Sequence, residues 1–158
     1  MRKFAIMAAV AATALMALPT AAHAEWYAGA AYTNFDYDGG DVDAVTGRLG
    51  YKFNPNFAVE GEASTGLDDG DVELNHNAAL YGVAMLPVTD QFGVHGRLGW
   101  QTTEADTPFG EVEDDGVAYG VGAHWNFTPG FGLRADYTRL EGDEGEADAL
   151  SLGAAFNF

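Results

Sequence analysis

Four histidines, two serines and 24 carboxylates are the groups in this 158-residue chain that could carry chemistry. Ser64 or Ser151 with His95 or His124 and a neighbouring acid could form a hydrolase relay, in which imidazole takes the hydroxyl proton. Asp36-Tyr37-Asp38-Gly39-Gly40-Asp41-Val42-Asp43 offers closely spaced oxygens of the kind a hard divalent cation takes, and Asp114-Asp115 offers two more. The segment is not an EF-hand, because its glycine is wrongly spaced and Gly47 stands where a bidentate Glu is needed. A third set is Arg48, Lys52, Arg97 and Arg134 against Glu60, Glu62 and Asp136, isolated charges that nearly balance. Twenty-four acidic residues face seven Lys and Arg, a net charge of −17. Nucleic acid is excluded as a partner, since phosphates demand clustered cations.

The first residues read as a leader. Arg2 and Lys3 precede an apolar, alanine-rich run from Phe4 to Leu18, Pro19 breaks it, and Ala22-His23-Ala24 supplies small residues for a peptidase. Residues 1–24 are expected to be a cleaved signal peptide, leaving residues 25–158 as one domain. The run is shorter than the ~20 residues of a spanning helix, and no later stretch is apolar enough to be one. The leader removes two of the seven cations and none of the acids, so the mature charge is −19. There is no cysteine, although an exported chain could form disulfides.

What remains alternates with period two, which argues strand. Eight strands are predicted, over 25–36, 44–53, 57–66, 76–87, 92–103, 116–127, 131–141 and 148–158. Val45, Leu49, Tyr51 and Phe53 share one face of the second, against Thr46, Arg48, Gly50 and Lys52. Val117, Tyr119, Val121, Trp125 and Phe127 oppose Ala118, Gly120, Gly122, His124 and Asn126 in the sixth. A soluble barrel puts the apolar face inside, whereas a membrane barrel turns it to lipid. Here the polar face is glycine, alanine and isolated charges, which suits a closed interior with paired ions. Ten residues at ~3.3 Å, tilted ~40°, rise about 25 Å, the height of such a barrel's apolar band. Aromatics gather near both ends of the apolar face, as membrane girdles do. The predicted fold is all-β, an eight-stranded antiparallel up-and-down transmembrane β-barrel.

Strand parity then disposes of the hydrolase. His95, His124, Ser64 and Ser151 fall on the inner face, as hydrogen-bonded interior residues, and His76 lies near a loop. Short turns at Asn54-Pro55-Asn56, Pro87 to Gln91 and Thr128-Pro129-Gly130 alternate with longer connections near 37–43, 67–75, 104–115 and 142–147. Nineteen carboxylates fill or flank the long connections, with no Lys or Arg placed among them. No cofactor is expected beyond weakly bound Ca²⁺ or Mg²⁺ there, for which Asp36, Asp38, Asp41, Asp43, Asp114 and Asp115 are the candidates.

Trp26-Tyr27-Ala28-Gly29-Ala30, Pro87-Val88-Thr89-Asp90-Gln91 running into Arg97-Leu98-Gly99, and a last strand with Gly153, Phe156 and a terminal Phe158 carry a resemblance. Over its whole mature length the chain resembles the small eight-stranded outer-membrane β-barrel family, OmpA transmembrane-domain and OmpX-like. The resemblance implies export to the bacterial outer membrane, and contact with the bilayer and lipopolysaccharide. It also implies an assembly signal in Gly153, Phe156 and Phe158, read by the barrel-assembly machinery. No separate peptidoglycan-binding domain is expected, so a cell-wall tether is not implied. The function expected is non-enzymatic, structural or surface-interacting, with acidic extracellular loops of unspecified partner and a plugged interior. The alternative is a narrow channel or small-ligand carrier, with space left by Gly93, Gly99, Gly120, Gly122 and Gly153; a lipid-modifying enzyme is third.

Overall fold

A computed structural model describes residues 25–67, 73–143 and 145–158. The expected signal peptide lies outside the described residues, as do Asp68, Asp69, Asp71 and Glu144. Eight strands follow in order: β1 (Glu25–Tyr37), β2 (Gly40–Asn54), β3 (Phe57–Gly66), β4 (Glu73–Pro87), β5 (Phe92–Thr107), β6 (Gly110–Thr128), β7 (Phe131–Gly142) and β8 (Glu146–Asn157). Each pairs antiparallel with its sequence neighbours, and β1 pairs with β8, so the sheet closes on itself. Closure leaves no unpaired edge, which a sheet in hydrocarbon cannot tolerate. The seam runs from Tyr27↔Asn157 to Tyr37↔Ala147. It is finished by Trp26 N donating to Phe158 O at 3.1 Å and Phe158 N to Trp26 O at 2.9 Å.

The end carrying both termini has tight turns. Asn54 Oδ1 accepts from the backbone of Asn56 and Phe57 at 2.8 and 2.9 Å, and Thr89 Oγ1 from Phe92 N at 2.9 Å. Aromatics ring this end: Tyr51 packs against Trp26 and Phe53, Phe92 against Trp125, and Phe131 against Phe127 and Phe156. Between this ring and the outward-facing Tyr32, Trp100, Tyr119 and Tyr137, the outer face presents Leu49, Leu98, Val121, Leu133, Leu150 and Leu152.

The distal end differs from expectation. Segments 37–43 and 104–115 are not long loops. β1 and β2 pair through Tyr37↔Gly40, and β5 and β6 through Thr107↔Gly110, leaving two-residue connections. Gly40 and Gly110 close them with φ of 145° and 125°, which side chains disfavour. The acidic stretches stay extended because alternation continues through them. Val42 and Ala44 are buried on either side of Asp43, Leu140 beside Glu141, and Ala147 and Ala149 around Asp148. Burial of that face overrides the poor strand preference of Asp.

Polarity therefore inverts along the barrel. In the terminal two-thirds the outer face is apolar and the inner face polar. Beyond Tyr32, Val45, Tyr137 and Leu150 the outer face carries Asp36, Asp41, Asp43, Arg139, Glu141, Glu146 and Asp148. The inner face there carries Phe35, Val42, Ala44, Leu140, Ala147 and Ala149. The lower segment suits hydrocarbon and the upper segment suits water.

Candidate functional site

The interior polar groups stack in layers. Six of the seven expected interior charges converge in one. Glu60, with no exposed surface, accepts from Arg134 Nη1 at 2.6 Å and Arg97 Nη1 at 3.1 Å, and lies 3.3 Å from Arg48 Nε. Asp136 accepts from Arg134 Nε and Nη2 at about 3.0 Å. Glu62 takes Arg48 Nε at 2.7 Å and the Arg97 guanidinium. Arg48 Nη2 is within ion-pair distance of Glu62 and Asp136, without hydrogen-bond geometry to either. Three guanidinium and three carboxylate groups from β2, β3, β5 and β7 thus neutralise one another. Each additional bond lowers the cost of keeping such ions out of water. Tyr27 Oη donates to Glu60 at 2.6 Å, Thr138 Oγ1 accepts from Arg97 Nε at 3.1 Å, and Arg97 lies 4.3 Å over the Tyr81 ring.

Lys52 stands apart from the network that parity grouped it with. It sits at the terminal mouth, 3.4 Å from Glu25 and 2.8 Å from Asn157 Oδ1. Its register places it opposite Glu25, one strand end away from the arginines.

On the distal side of the ions lies a chain of hydroxyls. Ser64, Thr46, Thr33 and Ser151 link at 2.7, 2.7 and 2.8 Å, and Asn77 donates to Gln101 at 2.9 Å. Ser64 and Ser151 have hydroxyl partners here, Thr46 and Thr33. Above the hydroxyls, Phe35, Val42, Leu140 and their alanine neighbours fill the distal interior. On the terminal side, His95 Nε2 is 2.6 Å from Asp136 Oδ1, and its ring stacks on His124 with centroids 5.9 Å apart. His76 lies near the start of β4 at an exposed position.

The inner-face glycines do not leave open space. A Cβ on Gly93 would meet the His124 ring at 2.6 Å, and one on Gly122 would meet His95 Nε2 at 2.5 Å. One on Gly50 would strike Tyr27. At Gly99, Gly120 and Gly153 it would strike a neighbouring carbonyl: Leu80, Tyr137 and Ala30. The missing side chains are filled by rings from adjacent strands or by close backbone approach.

The cation candidates are spread rather than convergent. Asp36, Asp41, Asp43 and Asp115 face outward on extended strands, Asp38 is in a turn, and Asp114 is on the inward parity near Tyr37 and Gly142. Asn34 Nδ2 bonds Asp43 at 2.8 Å and Asp41 at 3.3 Å. That bond, then one from Tyr32, holds the Asp43 carboxyl below the usual range in this water-facing collar. Among the described residues no three acids or histidines form a metal-ligating group. Sequence reasoning left Arg139 unplaced. It is in the collar, 3.3 Å from Asp148 and 3.7 Å from Glu141, and bonded to Glu146. Its two-residue offset from outward-facing Tyr137 carried that signal. Gly153 lies against β1, Phe156 faces outward on Phe131, and Phe158 closes the seam.

Residues 5–158 match the family model described as the outer membrane protein beta-barrel domain. The chain belongs to that family. Its members lie in the bacterial outer membrane. The fold is that of several solved barrels. Ail, the attachment invasion locus protein of Yersinia pestis, shares 19% identity over 85% of this chain and 97% of its own, with a TM-score of 0.63. The N-terminal β-barrel domain of Pseudomonas aeruginosa OprF shares 18% over 84% and 97%, with a TM-score of 0.69. Neisserial surface protein A shares 16% over 85% and 95%, with a TM-score of 0.63. The search of curated proteins found no match.

Proposed function

We propose that this outer-membrane barrel is a non-enzymatic, sealed scaffold that holds an acidic collar above the membrane, with a structural or surface-interaction role. The observation that carries the reading is the neutral six-ion layer centred on buried Glu60, backed by hydroxyls and then by apolar side chains. An eight-stranded barrel is just wide enough for its own side chains to fill. In this reading the short turns and termini face the periplasm and the collar faces outside; the partners proposed are the lipid bilayer, lipopolysaccharide, and the assembly machinery through Gly153, Phe156 and Phe158. A channel or small-ligand carrier would need free volume at the inner glycines, and rings and backbone occupy it. The test is planar-bilayer recording of the refolded chain at neutral pH. The expected result is no steady current; a reproducible ohmic step would replace the scaffold with a channel.

A further inference from the structure

The histidine pair is not needed to balance the ion layer, yet it is built into it. His95 reaches across Gly122, its register partner on β6, to Asp136 on β7. Its side chain is 1% exposed. Because a carboxylate only accepts, Nε2 carries the proton in that bond, and Nδ1 is a bare lone pair with no partner among the described residues. His124 lies beside it, towards the periplasmic mouth where Lys52 sits.

We propose that this pair makes the interior plug acid-labile, so that protonating His95 and His124 from the periplasmic side loosens the ion layer. The proposal rests on reading the interior as a seal. A second proton on His95 would be a buried N–H with no acceptor, the costly kind of unsatisfied group. It would also add a cation to a set already neutral at three against three. The charged groups facing the pair are Asp136 and Arg134 from β7, Glu60 from β3, and Lys52 from β2. Arg48 of β2 reaches the same Asp136. Both carboxylates are already held by arginines, so an imidazolium on Asp136 brings a further cation to an anion that guanidinium groups have already neutralised. Two stacked imidazolium rings would repel each other as well.

The experiment uses the full mature chain in bilayers and detergent, at about pH 7.5 and about pH 5, which bracket ordinary imidazole titration. Conductance and the temperature at which the folded gel form converts to the unfolded form are read for wild type, His95→Gln and His124→Gln. Wild type should be silent at the higher pH. In acid it should show openings and a lower conversion temperature. His95→Gln, whose amide keeps a neutral donor for Asp136, should lose most of both responses, and His124→Gln part of them. Acid effects from the collar are common to all three and cancel. If His95→Gln does not fold, the same comparison is made with His124→Gln, and an undiminished response there overturns the proposal. So does an undiminished response in folded His95→Gln, or a wild type that stays silent and equally stable in acid. Steady current at neutral pH would instead overturn the sealed-interior reading on which this one stands.

Discussion

Glu60 touches all three interior arginines, so its removal is the sharpest single-residue perturbation. Glu60→Gln leaves three arginines against two carboxylates in a site with almost no exposed surface. The expected loss is ~3–5 kcal/mol, the range for breaking a buried pair. It is measured by urea unfolding in detergent or lipid. Adding Arg134→Met to remove the stranded charge should recover part of it, giving a strongly non-additive cycle. Additive losses would mean a hydrated, screened interior. Much of this layer was legible beforehand: Arg48, Arg97, Arg134, Glu60, Glu62 and Asp136 share inward parity, and a dry interior demands partners. The pairings were not legible, because register across β2, β3, β5 and β7 decides them. Nor was Lys52's separation, or the part of Tyr27 and Thr138, whose neutral groups give no charge signal.

At the scale of strands, outward and inward glycines predict opposite outcomes. A Cβ at Gly120 would lie 2.1 Å from Tyr137 O, forcing β6 and β7 apart, whereas the nearest atom at Gly47 is Ala63 O at 3.9 Å. Gly120→Val should abolish the heat-modifiable folded form, and Gly47→Ala should leave it intact. Equal tolerance would contradict the close approach. Deleting Phe158 removes both terminal bonds to Trp26 and should lower outer-membrane yield while export continues. Strand number, parity and the short turns were readable because period two and Pro-Gly-Asn chemistry are local. The acidic hairpins were misread as loops because Asp and Gly usually mark turns. Val42, Ala44, Leu140, Ala147 and Ala149 kept the alternation going, and tertiary burial decided the outcome.

Over the whole molecule, one charged collar stands above a neutral, lipid-facing band. Cross-strand neighbours such as Asp36↔Asp41, Asp36↔Asp148 and Glu141↔Glu146 place like charges side by side, which destabilises a sheet. Divalent cations should relieve this at roughly millimolar concentration, as at weak extracellular sites. Protease resistance of the collar should then rise with Ca²⁺ beyond what NaCl of equal ionic strength achieves by screening. Equal protection by both salts would leave only a solvated anionic surface.

The polarity inversion and the sealed interior can be read together by a single-cysteine scan, which the cysteine-free chain permits. Reporters on a folded, lipid-reconstituted protein would be placed at Asp43, Val45, Thr46 and Leu49 of β2, and at Asp148, Leu150, Ser151 and Leu152 of β8. Accessibility to a water-soluble and to a lipid-soluble quencher would be measured at each. Val45, Leu49, Leu150 and Leu152 should be reached only from lipid, Asp43 and Asp148 only from water, and Thr46 and Ser151 from neither. Water access at Thr46 and Ser151, or along the outer positions of the band, would contradict a sealed barrel crossing the membrane below its acidic collar.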